Sequence, residues 1–195
     1  MADLVEIVNR AFVRLGQARI SSLSDPGKPA RIAAGEAQDL LDEELQAHPW
    51  NFATFRAALA ADSAVPEWGY NLQYSLPEGT IPPYCLRVLS VNGEDANSGR
   101  WKIEGNRKLV TDLQAPLEIQ YIGRVLDPSQ MPAKFKAMLA AKYAMEWCKA
   151  ITGDDRLKEG LVRDFRMRLM EARNPDGQEG TSDPLDAGSW IESRW

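Results

Sequence analysis

Histidine and cysteine are almost absent from this chain of 195 residues, which has one His and two Cys. A zinc site draws its ligands from closely spaced His, Cys and carboxylates, so His48, Cys85 and Cys148 cannot assemble a typical one, and no metal is expected. The two cysteines read as small buried hydrophobes rather than a disulfide. Neither G-x-x-x-x-G-K-[ST] nor G-x-G-x-x-G occurs. The phosphate-cradling loops of nucleotide sites are therefore missing, and no cofactor is expected. Long apolar runs are missing too. Met1 to Leu15 alternates polar and apolar residues at helical spacing, so neither a signal peptide nor a membrane span is expected, and the chain is placed in a reducing cytoplasm. Positive charge is not in excess, since 23 Lys and Arg face 28 Asp and Glu for a net of −5. A general nucleic-acid binder needs a basic face against phosphate, which leaves only passing contact with DNA.

What the chain does have is helical periodicity at both ends. Leu4, Ile7, Val8, Ala11, Phe12 and Leu15 recur at the spacing of one apolar stripe, with Asp3 placed to cap the helix and Gly16 to end it. Pro29 opens a second helix with Ile32, Ala33, Ala37, Leu40, Leu41 and Leu45 inward, and Pro49 closes it. From about Phe52 to Val125 short strand-like runs take over, at 55–61, 70–76, 86–91, 101–104, 108–111 and 117–122. Gly105-Asn106 marks a tight hairpin, and Gly93 to Gly99 a longer polar loop. In the last of these runs Glu118, Gln120 and Ile122 alternate with Ile119, Tyr121 and Gly123, which predicts one wetter face. Then Phe135, Met138, Leu139, Tyr143, Met145, Trp147, Cys148 and Ile151 form a face too broad for a helix with a single neighbour, which predicts the central helix. After Thr152-Gly153-Asp154, a narrower stripe through Leu157, Leu161, Phe165 and Leu169 defines a fourth helix.

The expected fold class is α+β, an antiparallel bundle of about four helices with an inserted antiparallel β lobe and an extended C-terminal arm. Residues 1–50 and 127–173 form the helical domain, 51–126 the inserted lobe and 174–195 the arm. The arm is rich in Gly, Pro, Ser and Asp and has too little apolar surface to fold alone, yet it contains Trp190, Ile191 and Trp195. Tryptophan is strongly enriched among interface anchors, so the segment reads as a docking arm. Its five acidic residues face only Arg194, whereas residues 156–173 hold six basic residues against three acidic ones. Arg156, Arg163, Arg166, Arg168 and Arg173 make the fourth helix a candidate surface for a partner or a neighbouring copy. An acidic arm behind it can fold back on that helix or on the same helix of another copy.

Catalytic candidates are few. His48 has no Ser or Cys arranged as a nucleophile and reads as a packing residue beside Pro49 and Trp50. Glu43 and Glu44, or Asp39 and Glu43 one turn apart, could supply a glycosidase's two carboxylates, but adjacent acids on a helix are ordinarily a solvated face. Trp50, Trp68, Trp101 and Trp147 are expected to pack within the core or the lobe.

Several short motifs also follow one another in a telling order. Arg14-Leu15-Gly16-Gln17 leads to Ile20-Ser21-Ser22-Leu23, then to His48-Pro49-Trp50-Asn51-Phe52-Ala53 with Arg56-Ala57. Tyr74-Ser75-Leu76-Pro77, Leu86-Arg87-Val88, Trp101-Lys102-Ile103-Glu104-Gly105 and Tyr121-Ile122 come next. Ala140-Ala141, Ile151-Thr152 and Ser189-Trp190-Ile191 complete the series. Over nearly its whole length the chain resembles the tail tubular protein A group of head-to-tail adaptors, or connectors, from short-tailed bacteriophages and related particles. Tyr84-Cys85 stands where the commoner pattern has Asp-Cys.

The resemblance implies a structural virion protein rather than an enzyme. Copies in that family form a ring, usually a dodecamer, which docks beneath the portal of a filled capsid, extends the DNA channel and offers a surface to the tail nozzle or tube. Implied partners are the portal protein, the nozzle or tube protein and sister copies. Genomic DNA passes through unbound and no membrane is involved. The implied location is the virion tail, at the neck, after assembly in the host cytoplasm. The family's arm runs along the portal's clip region, which makes Trp190, Ile191, Arg194 and Trp195 the candidate portal-docking residues. Two alternatives stay open: an adaptor-associated peptidoglycan hydrolase, for which Glu43 and Glu44 are the residues to test, and a binding module of another assembly.

Overall fold

Helix α1, Val5–Arg14, buries the predicted stripe of Ile7, Val8, Ala11 and Phe12. It stops at Gly16, whose φ of +67° suits a residue without a Cβ. There the Gln17 N–H donates to the Phe12 carbonyl at 2.9 Å and the Gly16 N–H to that of Val13 at 3.2 Å, which satisfies the last turn's free acceptors. The computed structural model of the chain describes residues 4–95, 98–105 and 107–179, so the expected cap Asp3 and the docking candidates Trp190, Ile191, Arg194 and Trp195 lie outside the described residues.

Helix α2, Lys28–Ala47, carries Pro29 in its first turn and turns Ala33, Ala37, Leu41 and Leu45 inward. Helix α3, Ala133–Thr152, is the centre of the fold and packs against α1, α2 and a fourth helix, α4, Asp155–Glu179. Tyr143 and Trp147 of α3 stack with centroids 4.7 Å apart, and the Tyr143 hydroxyl donates to the Ala37 carbonyl at 2.6 Å. Burial raises the Tyr143 phenol far above its ordinary value. Asp154 caps α4 by accepting the backbone N–H of Arg156 at 2.9 Å and of Leu157 at 3.1 Å.

The described residues of the inserted lobe hold seven strands: β1 Thr54–Leu59, β2 Leu72–Ser75, β3 Cys85–Val91, β4 Glu94–Asp95, β5 Trp101–Glu104, β6 Lys108–Thr111 and β7 Leu117–Gly123. They form two antiparallel sheets, ordered β1-β7-β3-β4 and β2-β6-β5. Strand β4 lies inside the expected polar loop, because the turn after Val91 brings Glu94 and Asp95 back opposite Val91 and Ser90. Leu117, Ile119 and Tyr121 of β7 join Tyr74, Leu109 and Trp101 of the second sheet in a small core. Ile122 was placed on a wetter face by its alternation, yet it is fully buried. Its end of the sheet rests on the helices, and Ile122, Phe55, Leu86 and Leu89 join the helical core. Gly123 is required where the layers meet, because a Cβ there would stand 2.6 Å from Phe55 Cδ2 and 3.0 Å from Pro83 Cβ.

Two expectations are corrected. Trp68 is not packed in the lobe, since it lies in the connector between β1 and β2 and is 86% exposed. The boundary at residue 174 falls inside α4, which continues to Glu179 despite Pro175 and Gly177. Contacts of Asp176, described next, hold this turn, so tertiary bonding outweighs poor helix propensity.

Candidate functional site

Three polar regions of the surface and joints carry groups suited to chemistry or docking. The first is a charged cluster where α2, α3 and α4 meet. Lys142 of α3 is only 7% exposed and its ammonium lies 3.1 Å from Glu43, 3.3 Å from Glu44 and 3.5 Å from Glu146. Glu44 is 5% exposed, and burial raises its carboxyl although Lys142 opposes the shift. Burial would lower Lys142, but bonding to Glu43 and the charges of both glutamates outweigh it, so its ammonium is held above the ordinary range. Close by, Asp176 of α4 accepts from the Asn51 backbone N–H at 3.0 Å and lies 3.1 Å from His48 Nε2, and the Asn51 amide donates to its carbonyl. The His48 ring also packs edge-on against Trp50 at 4.6 Å. Arg173 Nε is buried with no hydrogen-bond partner among the described residues.

The second region is the joint between the lobes. Arg124 grips Asp42 of α2 with Nε at 3.0 Å and a second bond from Nη2, and its guanidinium stacks over Tyr84 at 4.5 Å. Arg107 stacks over the same ring at 4.3 Å while donating to the carbonyls of Leu76, Pro77 and Cys85 and to Glu78. A cleft of about 230 Å³ lies between these groups, lined also by Gln46 and Leu86. Burial raises Asp42, with Arg124 opposing, and pushes the Cys85 thiol up to about 11, so that it stays protonated. These polar groups are committed to one another and hold the lobes together. Tyr84 is the residue both guanidiniums share.

The third region is the outer face of α4. Arg156, Arg163 and Arg166 are exposed, whereas Arg168 is half-buried and bonds Asp164 at 2.8 Å. Arg173 is also half-buried, beside the charged cluster. The structure thus divides the five candidate arginines into three that face solvent and two turned toward neighbours. A shallow groove of about 450 Å³ on the first sheet, lined by Arg56, Ser90, Glu118 and Gln120 among others, adds no reactive pair.

An acid catalyst must reach its substrate, and Glu44 lies instead beneath Lys142. No group of His, Cys, Asp and Glu among the described residues is arranged to hold a metal ion, and no described helix is long and apolar enough to cross a membrane. Cys85 and Cys148 are both buried free thiols. Sequence reasoning missed Asp42, Lys142 and Asp176. The signal available for Lys142 was its place on the broad apolar face of α3, one turn before Glu146.

No protein-family model matches this chain, and no curated protein matches it.

Proposed function

We propose that the chain is a subunit of a head-to-tail adaptor ring, which docks beneath a portal, extends the DNA channel and receives the tail nozzle or tube. The observation that carries the reading is the ordered series of motifs resembling that family. The two-lobed arrangement suits it, with a helical part distinct from a β lobe that is joined to it through Asp42, Arg124 and Tyr84. A chain of net charge −5 repels DNA on balance rather than holding it, as a subunit that lets DNA pass requires. Of the two carboxylates a hydrolase would need, Glu44 is buried beneath Lys142 and the exposed Glu43 bonds the same ammonium, which favours a structural role over the hydrolase alternative.

The arm's part in this reading is to anchor the subunit on the portal through Trp190, Ile191, Arg194 and Trp195. Removing residues 180–195, rather than 174–195, keeps Asp176 and its bonds to His48 and Asn51 in place. The truncated chain is expected to fold as before and to lose binding to portal rings in a sedimentation assay. Unchanged binding would refute the arm's role.

A further inference from the structure

The solvent-facing stripe of α4 follows helical spacing through Arg156, Glu159, Arg163, Arg166, Met167, Met170 and Asn174, with exposed Glu171 at its edge. Met167 is 49% exposed and Met170 is 62% exposed. None of the three arginines takes part in an ion pair among the described residues, whereas Arg168 on the flank is paired with Asp164. Exposed thioethers beside unpaired guanidiniums call for a cover that is both acidic and apolar.

The chain itself contains such a segment. Residues 180–195 hold Asp183, Asp186 and Glu192 against Arg194, together with Leu185, Trp190, Ile191 and Trp195. Gly180, Ser182 and Pro184 at its start favour a reversal of direction. Asp176, tied to His48 and Asn51, fixes the turn from which the segment departs. Extended, its residues span up to ~53 Å. The way back along the helix from Glu179 to Arg163 is only ~24 Å.

We propose that the outer face of α4 is the docking surface for this chain's own residues 180–195. Trp190 and Ile191 cover Met167 and Met170, and the segment's carboxylates lie on Arg163 and Arg166. A tether of this length gives a millimolar effective concentration, so the chain's own segment outcompetes that of a second copy in dilute solution. A partner that takes these tryptophans must first displace them from α4. The inference goes beyond the adaptor reading and does not depend on it.

The test is chymotryptic cleavage after Trp190 in the full chain, with no partner present. Arg163→Glu with Arg166→Glu is expected to raise the cleavage rate about tenfold, as is Asp186→Arg with Glu192→Arg. Combining the two pairs restores protection, and the wild-type rate does not change between micromolar and tens of micromolar protein. Equal rates in all four proteins would overturn the proposal. Protection that grows with protein concentration would also overturn it, by assigning the surface to a second copy.

Discussion

Helices α3 and α4 are neighbours in sequence and in space, but they use their surfaces in opposite ways. Helix α3 is buried on most sides by α1, α2 and α4, so the broad apolar face read from its sequence is consumed inside one chain. Breadth of an apolar face therefore measures how central a helix is. Among the described residues, helix α4 is covered on one side only, and its other side mixes arginine with exposed methionine. The surface left open among the described residues lies on the helix with the weaker apolar pattern.

Substitutions should sharpen that contrast. The largest effect is expected from Trp147→Ala in α3, which removes a fully buried ring stacked on Tyr143 and should cost about 3–5 kcal/mol in chemical denaturation. Lys142→Ala leaves the buried Glu44 without its cation, and a loss of about 3 kcal/mol is expected in the same assay. Gly123→Ala forces a methyl group against Phe55 at the joint and should cost about 1–3 kcal/mol.

Acidity tests the cluster between the helices. Because burial raises Glu44 above its ordinary value of 4.5, the folded chain binds this proton more tightly than the unfolded chain does. Stability contributed by the group is therefore full at acid pH and falls as pH rises from 4.5 through the higher folded value. Glu44→Gln should flatten that part of a stability-versus-pH series; an unaltered slope would place the titration elsewhere. The smallest effect is expected on the outer face of α4, where Met170→Ser in a chain lacking residues 180–195 should change stability by less than about 0.5 kcal/mol. A large loss there would mean that this face is already part of the core.

The helices and six longer strands were legible in the sequence because each has a clear apolar period bounded by turn residues. Gly16 and Asp154 act at the helix ends where the pattern placed their breaks. Three-dimensional placement was less legible. Ile122 fits an alternating strand, and only the seat of that sheet on the helices buries it. Asp176 lies in a run of Asn, Pro, Asp and Gly that argues for a loop, yet its bonds to His48 and Asn51 keep it helical. Lys142 and Asp42 are long-range partners of Glu44 and Arg124, and nothing local in the chain announces such pairings. Of the five candidate arginines, three face outward as a solvated helix face predicts, while Arg168 and Arg173 turn toward neighbours.

We propose that this chain works by joining a ring beneath a portal. Electron-microscope imaging of purified chain mixed with portal rings tests it most directly. A second ring of density stacked coaxially on each portal is the predicted result; portal rings that stay bare at saturating concentrations of the chain would contradict it.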